Sequence, residues 1–339
     1  MFHTFNPLEA SQVSERLVKI LGDEFSTQTK VSGSPKRVTS ATSAWVWFIE
    51  LIGEGLPSAL QGPQVLRISE PKEKHLLVRQ VNLSRALLAQ GFPAPRSTWH
   101  GEIDGFPIEL QQRLPGRQAI DLLGTVRAQK TLRALADLQA KLHSLSTDQF
   151  ALPHLDTISF LKDDLELRRN RVKTSESSGT WDWLQRHASS ALMASDDFSV
   201  LCHGDFHPLN ALVAEDGSIG IVDWTDASLG DRHHDVGRTI ATYWFGALVA
   251  ETKLQRNALR LLRPWMQKTH QLSYEESWSN KLNKERLNWW QVAHLYRFWL
   301  LLAEIADGTV ASRDSSTTSE LPDDLMDQII KQCQKLQKI

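Results

Sequence analysis

A chain of 339 residues is long enough to bury a sizeable core and to divide into two lobes. A formal net charge of −2, with 41% hydrophobic and 23% charged residues, excludes a disordered chain and gives no global attraction to nucleic acid or to an acidic membrane surface. Two cysteines, Cys202 and Cys333, exclude a disulfide framework and a Cys-x-x-Cys zinc site.

The opening residues lack the charged and apolar regions of a secretory signal, and the longest apolar run, within Tyr296 to Ile305, is too short to span a bilayer. The expectation is a cytoplasmic protein with no membrane or nucleic-acid partner, monomeric or homodimeric. Cys202, between Leu201 and His203, reads as a buried inert thiol.

In chain order, residues 7–21 carry Leu8, Val13, Leu17 and Leu21 at near-helical spacing, with Asn6 placed as an N-cap before Pro7. Residues 44–51 and 65–69 are aromatic and β-branched, and the glycines and prolines between them supply turn chemistry, so two strands are expected. Residues 73–90 contain no Gly or Pro and form a helix that Gly91 stops. Extended segments at 96–100 and 106–113 flank a turn from Gly101 to Gly105, as in a hairpin.

Beyond Leu114-Pro115-Gly116 the pattern becomes helical, over 126–145, 157–172, 180–193 and 285–305. The β-like exceptions are 199–202, 211–213 and 219–222. Residues 174–180 and 311–320 read as loose loops. Trp289, Trp290 and Trp299 share one helical segment with Leu287, Leu295 and Leu302, a pattern of core packing.

The three β-like segments bracket the chemistry. Val200-Leu-Cys-His-Gly-Asp-Phe-His-Pro-Leu-Asn210 is followed, after the turn Glu215-Asp216-Gly217, by Ile221-Val-Asp-Trp224. A hairpin thus gathers two carboxylates and an amide. Phosphoryl transfer needs a carboxylate that orients the attacking hydroxyl and accepts its proton, and oxygen ligands for Mg²⁺.

His203-Gly204-Asp205 with Asn210 five positions on, then Ile-Val-Asp223, resembles the catalytic signature of the aminoglycoside phosphotransferase family. Upstream, Val65-Leu-Arg-Ile68, Arg79-Gln80, Gly91-Phe-Pro-Ala-Pro95 and Gln111-Gln-Arg-Leu-Pro-Gly116 follow that family's N-lobe order, so the resemblance covers most of residues 30–240. It implies an α+β, protein-kinase-like two-lobe fold, with a mostly antiparallel sheet N-lobe over 1–113, a mainly helical C-lobe over 114–339 and the site in the cleft. It also implies transfer of the γ-phosphoryl group of ATP or GTP, with Mg²⁺, to a hydroxyl of a small molecule.

Carried over by position, Asp205 is the base, Asn210 and Asp223 are metal ligands, and His207 falls where protein kinases place a Lys beside the transferring phosphoryl. The backbone of Gln112 and Leu114 matches the adenine-contacting hinge. Arg67 stands where a phosphate-binding Lys is common, and Gln80 where a Glu would hold it. Arg binds phosphate bidentately, whereas a neutral Gln only orients it. Val38-Thr-Ser-Ala-Thr-Ser43 replaces a glycine-rich loop, which makes Ser40 and Ser43 candidates for phosphate cover.

Of the other polar residues, His203 reads as a strut of the loop, and Asp226, Asp231 and Asp235 as structural, Asp235 capping a helix over 236–243. The pair His233-His234 before Asp235 has a second reading as part of a metal phosphohydrolase site. No Ala-Pro-Glu segment follows Asp223, which favours a small acceptor over a protein. Arg260, Arg263, Lys268 and Lys281 among the acids of the last hundred residues disfavour a polycation. A neutral or weakly charged natural product such as a macrolide or nucleoside antibiotic comes first, and choline, ethanolamine or another metabolite second. A nucleotide-binding regulatory pseudokinase is the reading from another class.

Overall fold

The computed structural model describes residues 5–38, 44–174, 179–193, 199–244, 253–309 and 324–338. Ser40, Ser43, residues 175–178 of the first expected loose loop and all of the second, 311–320, lie outside the described residues. The chain divides into two compact units, one of Met1–Gly116 with Gly220–Thr225, the other of Arg117–Ile219 with Asp226–Ile339. The segment bearing Asp223, which sequence order assigns to the C-lobe, therefore packs with the first unit.

In the first unit, helix α1 (Ala10–Phe25) buries Val13, Leu17 and Leu21, the i, i+4, i+8 stripe of the sequence. It starts later than expected. Asn6 caps no helix: its side chain accepts from the Leu8 N–H at 3.0 Å and its carbonyl from the Glu9 N–H, closing a turn around Pro7.

Strands β1 (Lys30–Val31), β2 (Lys36–Val38), β3 (Trp45–Ile52) and β4 (Gly62–Ile68) follow, then helix α2 (Lys74–Ala89) and strands β5 (Ser97–Ile103) and β6 (Phe106–Gln112). They form one antiparallel sheet in the order β1-β3-β4-β6-β5, with β2 also on β3. One face, with Leu66, Ile68, Ile108 and Leu110, packs on α1. Alternation turns Arg67 and Glu109, a paired position of β4 and β6, to the other face.

The expected hairpin is tighter than read. β5 runs through Gly101, and the turn is Asp104-Gly105 alone, both at positive φ (48° and 88°) between the pair Ile103 and Phe106. That is the two-residue turn whose twist matches the flanking strands. Gly91 (φ 68°) ends α2, with its own N–H on Leu88 O and the Phe92 N–H on Leu87 O.

In the second unit, β7 (Arg117–Gln118) precedes α3 (Ala128–His143) and β8 (His154–Leu155). Helix α4 (Thr157–Ser159) runs through a π-helical stretch (Phe160–Glu166) into α5 (Leu167–Arg169), and α6 (Thr180–Met193) follows. Next come β9 (Val200–Cys202), β10 (Ala211–Val213), β11 (Ile219–Ile221), whose last two residues belong to the first unit, and β12 (Ser228–Gly230). Helices α7 (Arg232–Thr242), α8 (Lys253–Trp278), α9 (Lys284–Ala306) and α10 (Leu325–Gln337) complete the unit.

β12 pairs with β9 antiparallel and β8 parallel, and β10 pairs with β7. α9 places Trp289, Trp290 and Trp299 in the core with α6 and α10. α8 escaped the periodicity reading; it continues past Pro264, a residue that ordinarily interrupts a helix. No helix among the described residues is long and apolar enough to cross a membrane.

Candidate functional site

In the second unit the strand-turn-strand passage from β9 to β10 carries Asp205. Gly204 (φ 79°) makes the turn; a Cβ there would lie 2.3 Å from the Asp226 carbonyl oxygen, so only glycine fits. The loop is held from below. The Gly204 N–H donates to Asp235 Oδ1 at 2.7 Å, the Asp205 N–H to His203 Nδ1 at 3.2 Å, and the Thr239 hydroxyl to Phe206 O at 2.6 Å.

Asp235 lies inside α7 and caps nothing; the N-cap is Asp231, which accepts from the His233 N–H. The second oxygen of Asp235 bonds Gln139 Nε2 (2.8 Å) and His143 Nε2 (3.1 Å) of α3. Burial opposes the Asp235 charge, but those bonds and the two histidines, 143 and 203, hold the carboxyl far below its usual range. His203, fully buried, is the strut expected of it.

The Asp205 carboxylate accepts four donors. Arg238 Nε (3.1 Å) and Nη2 (2.8 Å) meet Oδ1, and His207 Nε2 and Asn210 Nδ2 meet Oδ2, each at 3.1 Å. His207 Nδ1 accepts from the Leu209 N–H, which assigns the ring proton to Nε2 and makes it the donor. Burial raises the Asp205 pKa; His207 and Arg238 outweigh it, and the carboxyl titrates well below the usual range. Arg238 went unrecognised in the sequence, because its place on α7 opposite Asp205 is set by tertiary packing.

In the first unit, Asp223 adopts the left-handed conformation (φ 62°) with its side chain 41% exposed. Its Oδ1 accepts the Thr225 hydroxyl at 2.7 Å and lies 3.6 Å from Arg67 Nη2. The same hydroxyl accepts from Arg67 Nη2 (3.2 Å) and Gln80 Nε2 (3.1 Å), which uses its one donor and both lone pairs. Gln80 is thus joined to Arg67 through Thr225 rather than directly. Arg79 Nη2 donates to the Thr225 carbonyl at 2.9 Å. Nothing in the sequence marked Thr225.

At the expected hinge, the Gln112 N–H is committed to the Arg96 carbonyl (2.8 Å). Leu114 makes no backbone hydrogen bond among the described residues, so both its groups are available to a ligand, and its side chain packs against Gly220.

Among the described residues no three His, Cys, Asp or Glu side chains are arranged to hold a metal. His233 is consumed structurally, bonding Asp231 through Nδ1 and accepting the Asn283 N–H at Nε2. Burial pulls His234 down to about 4. Mg²⁺ asks for less: one or two protein oxygens, with phosphates and water completing the shell. The second oxygen of Asp223 and the amide oxygen of Asn210, whose nitrogen is committed to Asp205, are donors of that kind.

No curated protein matches the chain. Among solved structures, aminoglycoside phosphotransferase APH(4)-Ia superposes with a TM-score of 0.64 at 14% identity, over 96% of this chain and 98% of that one. Spectinomycin phosphotransferase APH(9)-Ia, solved with ADP and spectinomycin, gives 0.62 at 14% identity, over 98% and 100%. Macrolide 2′-phosphotransferase MphH from Brachybacterium faecium gives 0.55 at 16% identity, over 91% and 98%. These likenesses establish a protein-kinase-like α+β fold. Residues 58–268 match the model of the phosphotransferase enzyme family, and the chain belongs to that family.

Proposed function

We propose that this enzyme moves the γ-phosphoryl group of ATP or GTP onto a hydroxyl of a neutral or weakly charged small molecule, with Asp205 as the residue that orients and deprotonates that hydroxyl. The observation that carries the reading is the Asp205 carboxylate, kept ionised and aimed by Arg238, His207 and Asn210 on a loop anchored by Asp235.

All four acceptor positions of that carboxylate are filled, so an entering hydroxyl takes the place of one donor. The donor displaced is His207 or Asn210, because Arg238 is held by a full ion pair as well as by two hydrogen bonds. As the acceptor oxygen bonds phosphorus and the bond to the β-phosphate oxygen breaks, the hydroxyl proton passes to Asp205 and the nucleoside diphosphate leaves. A carboxylate of such low pKa is a weak base, so its larger contribution is orientation.

Asp223 and Asn210 are the residues that would hold Mg²⁺, which neutralises charge on the phosphate oxygens when bound. Arg67 is the cation for the phosphates and Leu114 the backbone contact for the base. The acceptor class is supported by Arg238, a cation beside Asp205 that a polycationic acceptor would have to approach, and by a structural neighbour named for a macrolide, while other neighbours are named for aminoglycosides.

The test is nucleotide consumption with Mg²⁺ across an acceptor library of macrolides, nucleosides, aminocyclitols, choline and hydroxy acids. Turnover with a neutral hydroxyl compound that Asp205→Asn abolishes supports the reading. Nucleotide binding with no turnover of any acceptor would favour a regulatory protein.

A further inference from the structure

The charge on Arg67 has a second carboxylate near it that the reaction does not use. Glu109, in the middle of β6, is fully buried and is the direct cross-strand partner of Arg67 in β4. Directly paired residues of antiparallel strands project from the same sheet face, with Cβ atoms about 5 Å apart. Gln111 Nε2 donates to Glu109 Oε2 at 3.0 Å, and the buried Oε1 has the equally buried Ser97 hydroxyl as its polar neighbour, outside good hydrogen-bond geometry.

A carboxylate this buried is costly to ionise, and such groups persist where a nearby cation compensates them. Burial raises the Glu109 pKa, and the largest influence opposing it is Arg67. Arg67 thus has two carboxylates acting on it, the exposed Asp223 at 3.6 Å and the buried Glu109 across the strand register. Gln80, at the position where a helix carboxylate would hold this cation, is neutral and bonds Thr225 instead.

We infer that Glu109 is the positioning residue for Arg67, a sheet-borne counter-charge that holds the guanidinium at the phosphate-binding face when Asp223 is engaged by the metal-nucleotide. This rests on the proposed role of Arg67 as the phosphate cation. A cation with no remaining carboxylate would be drawn along with Asp223 or lose its fixed position. Glu109 supplies an anchor that nucleotide binding does not remove, since it is out of reach of solvent.

The experiment is direct binding of Mg-ATP by calorimetry to the full-length protein, its Glu109→Gln and Arg67→Ala variants, and the double variant, with unfolding curves for each. Glu109→Gln is isosteric and deletes a buried charge, so it should fold; Glu109→Met is the second variant of similar volume. The expected result is about tenfold weaker Mg-ATP binding in either Glu109 variant, and no further loss when Glu109→Gln is added to Arg67→Ala. Equal affinity of wild type and Glu109→Gln overturns the inference, as does a tenfold loss that persists in the Arg67→Ala background. Failure of the wild type to bind Mg-ATP would instead sink the functional reading beneath it.

Discussion

Arg238 lays both Nε and Nη2 on a single oxygen of Asp205, at 3.1 and 2.8 Å. The remaining oxygen is left to His207 Nε2 and Asn210 Nδ2. This pairing fixes the orientation of the Asp205 carboxylate and, in the proposed mechanism, the pH range over which it would act as the base.

Because the Asp205 pKa is depressed in the folded protein, the group stays ionised from neutral pH down through the ordinary carboxylate value of about 3.9. The associated stability is present above that value and lost only as pH falls through the lower folded pKa. Activity should therefore show no acid limb from Asp205 in the range where the protein survives. Arg238→Met should raise the pKa and bring an acid limb into view. A pH–rate profile of the two proteins checks this; superimposable acid limbs would mean that Arg238 does not tune the base.

Asp205→Asn should preserve folding and nucleotide binding while cutting turnover by roughly a hundredfold or more, since orientation and proton acceptance are both lost. Asp223→Ala should weaken Mg-nucleotide binding as well as turnover, and Asn210→Ala should do so less severely. A Mg²⁺ titration unchanged in both metal-site variants would remove them as ligands.

Arg67→Ala should lower catalytic efficiency with the nucleotide by about ten- to a hundredfold, because a charge-assisted phosphate contact is worth roughly 1.5–3 kcal/mol. Gln80→Ala should cost only several-fold, since its amide reaches Arg67 through the Thr225 hydroxyl. Thr225→Val, which strips that hydroxyl from both partners, should lie between them. Steady-state kinetics with varied ATP rank the three, and a Gln80 effect as large as that of Arg67 would contradict the arrangement.

Gly204→Ala should destabilise the second unit and displace the loop. The left-handed conformation alone costs a non-glycine residue about 1–2 kcal/mol, and the new Cβ meets main-chain atoms of Asp226, which cannot swing aside. Asp235→Ala should be worse, about 3–5 kcal/mol, because it leaves the Gly204 N–H, Gln139 and His143 buried without their shared acceptor. Denaturant unfolding measures both, and wild-type stability of Asp235→Ala would show the network to be dispensable.

Local pattern alone determined much of this protein. The stripe Val13, Leu17, Leu21 makes α1, the glycines near 101–105 mark a hairpin whose turn the strand pairing then sets at Asp104-Gly105, and the spacing of Asp205, Asn210 and Asp223 carries the family resemblance, because each depends on residues near in sequence. Where a local signal had two solutions, the fold chose: Asn6 closes a turn instead of capping a helix, and Asp235 bonds the loop bearing Asp205 instead of capping α7. Tertiary structure alone decided the partnerships across long separations. Arg238 meets Asp205 across 33 residues, Thr225 collects Arg67 and Gln80 across about 150, and Glu109 faces Arg67 through a strand register. Such contacts are set by which faces of helix and sheet bury together, and side-chain periodicity names the buried face without naming the residue it will meet.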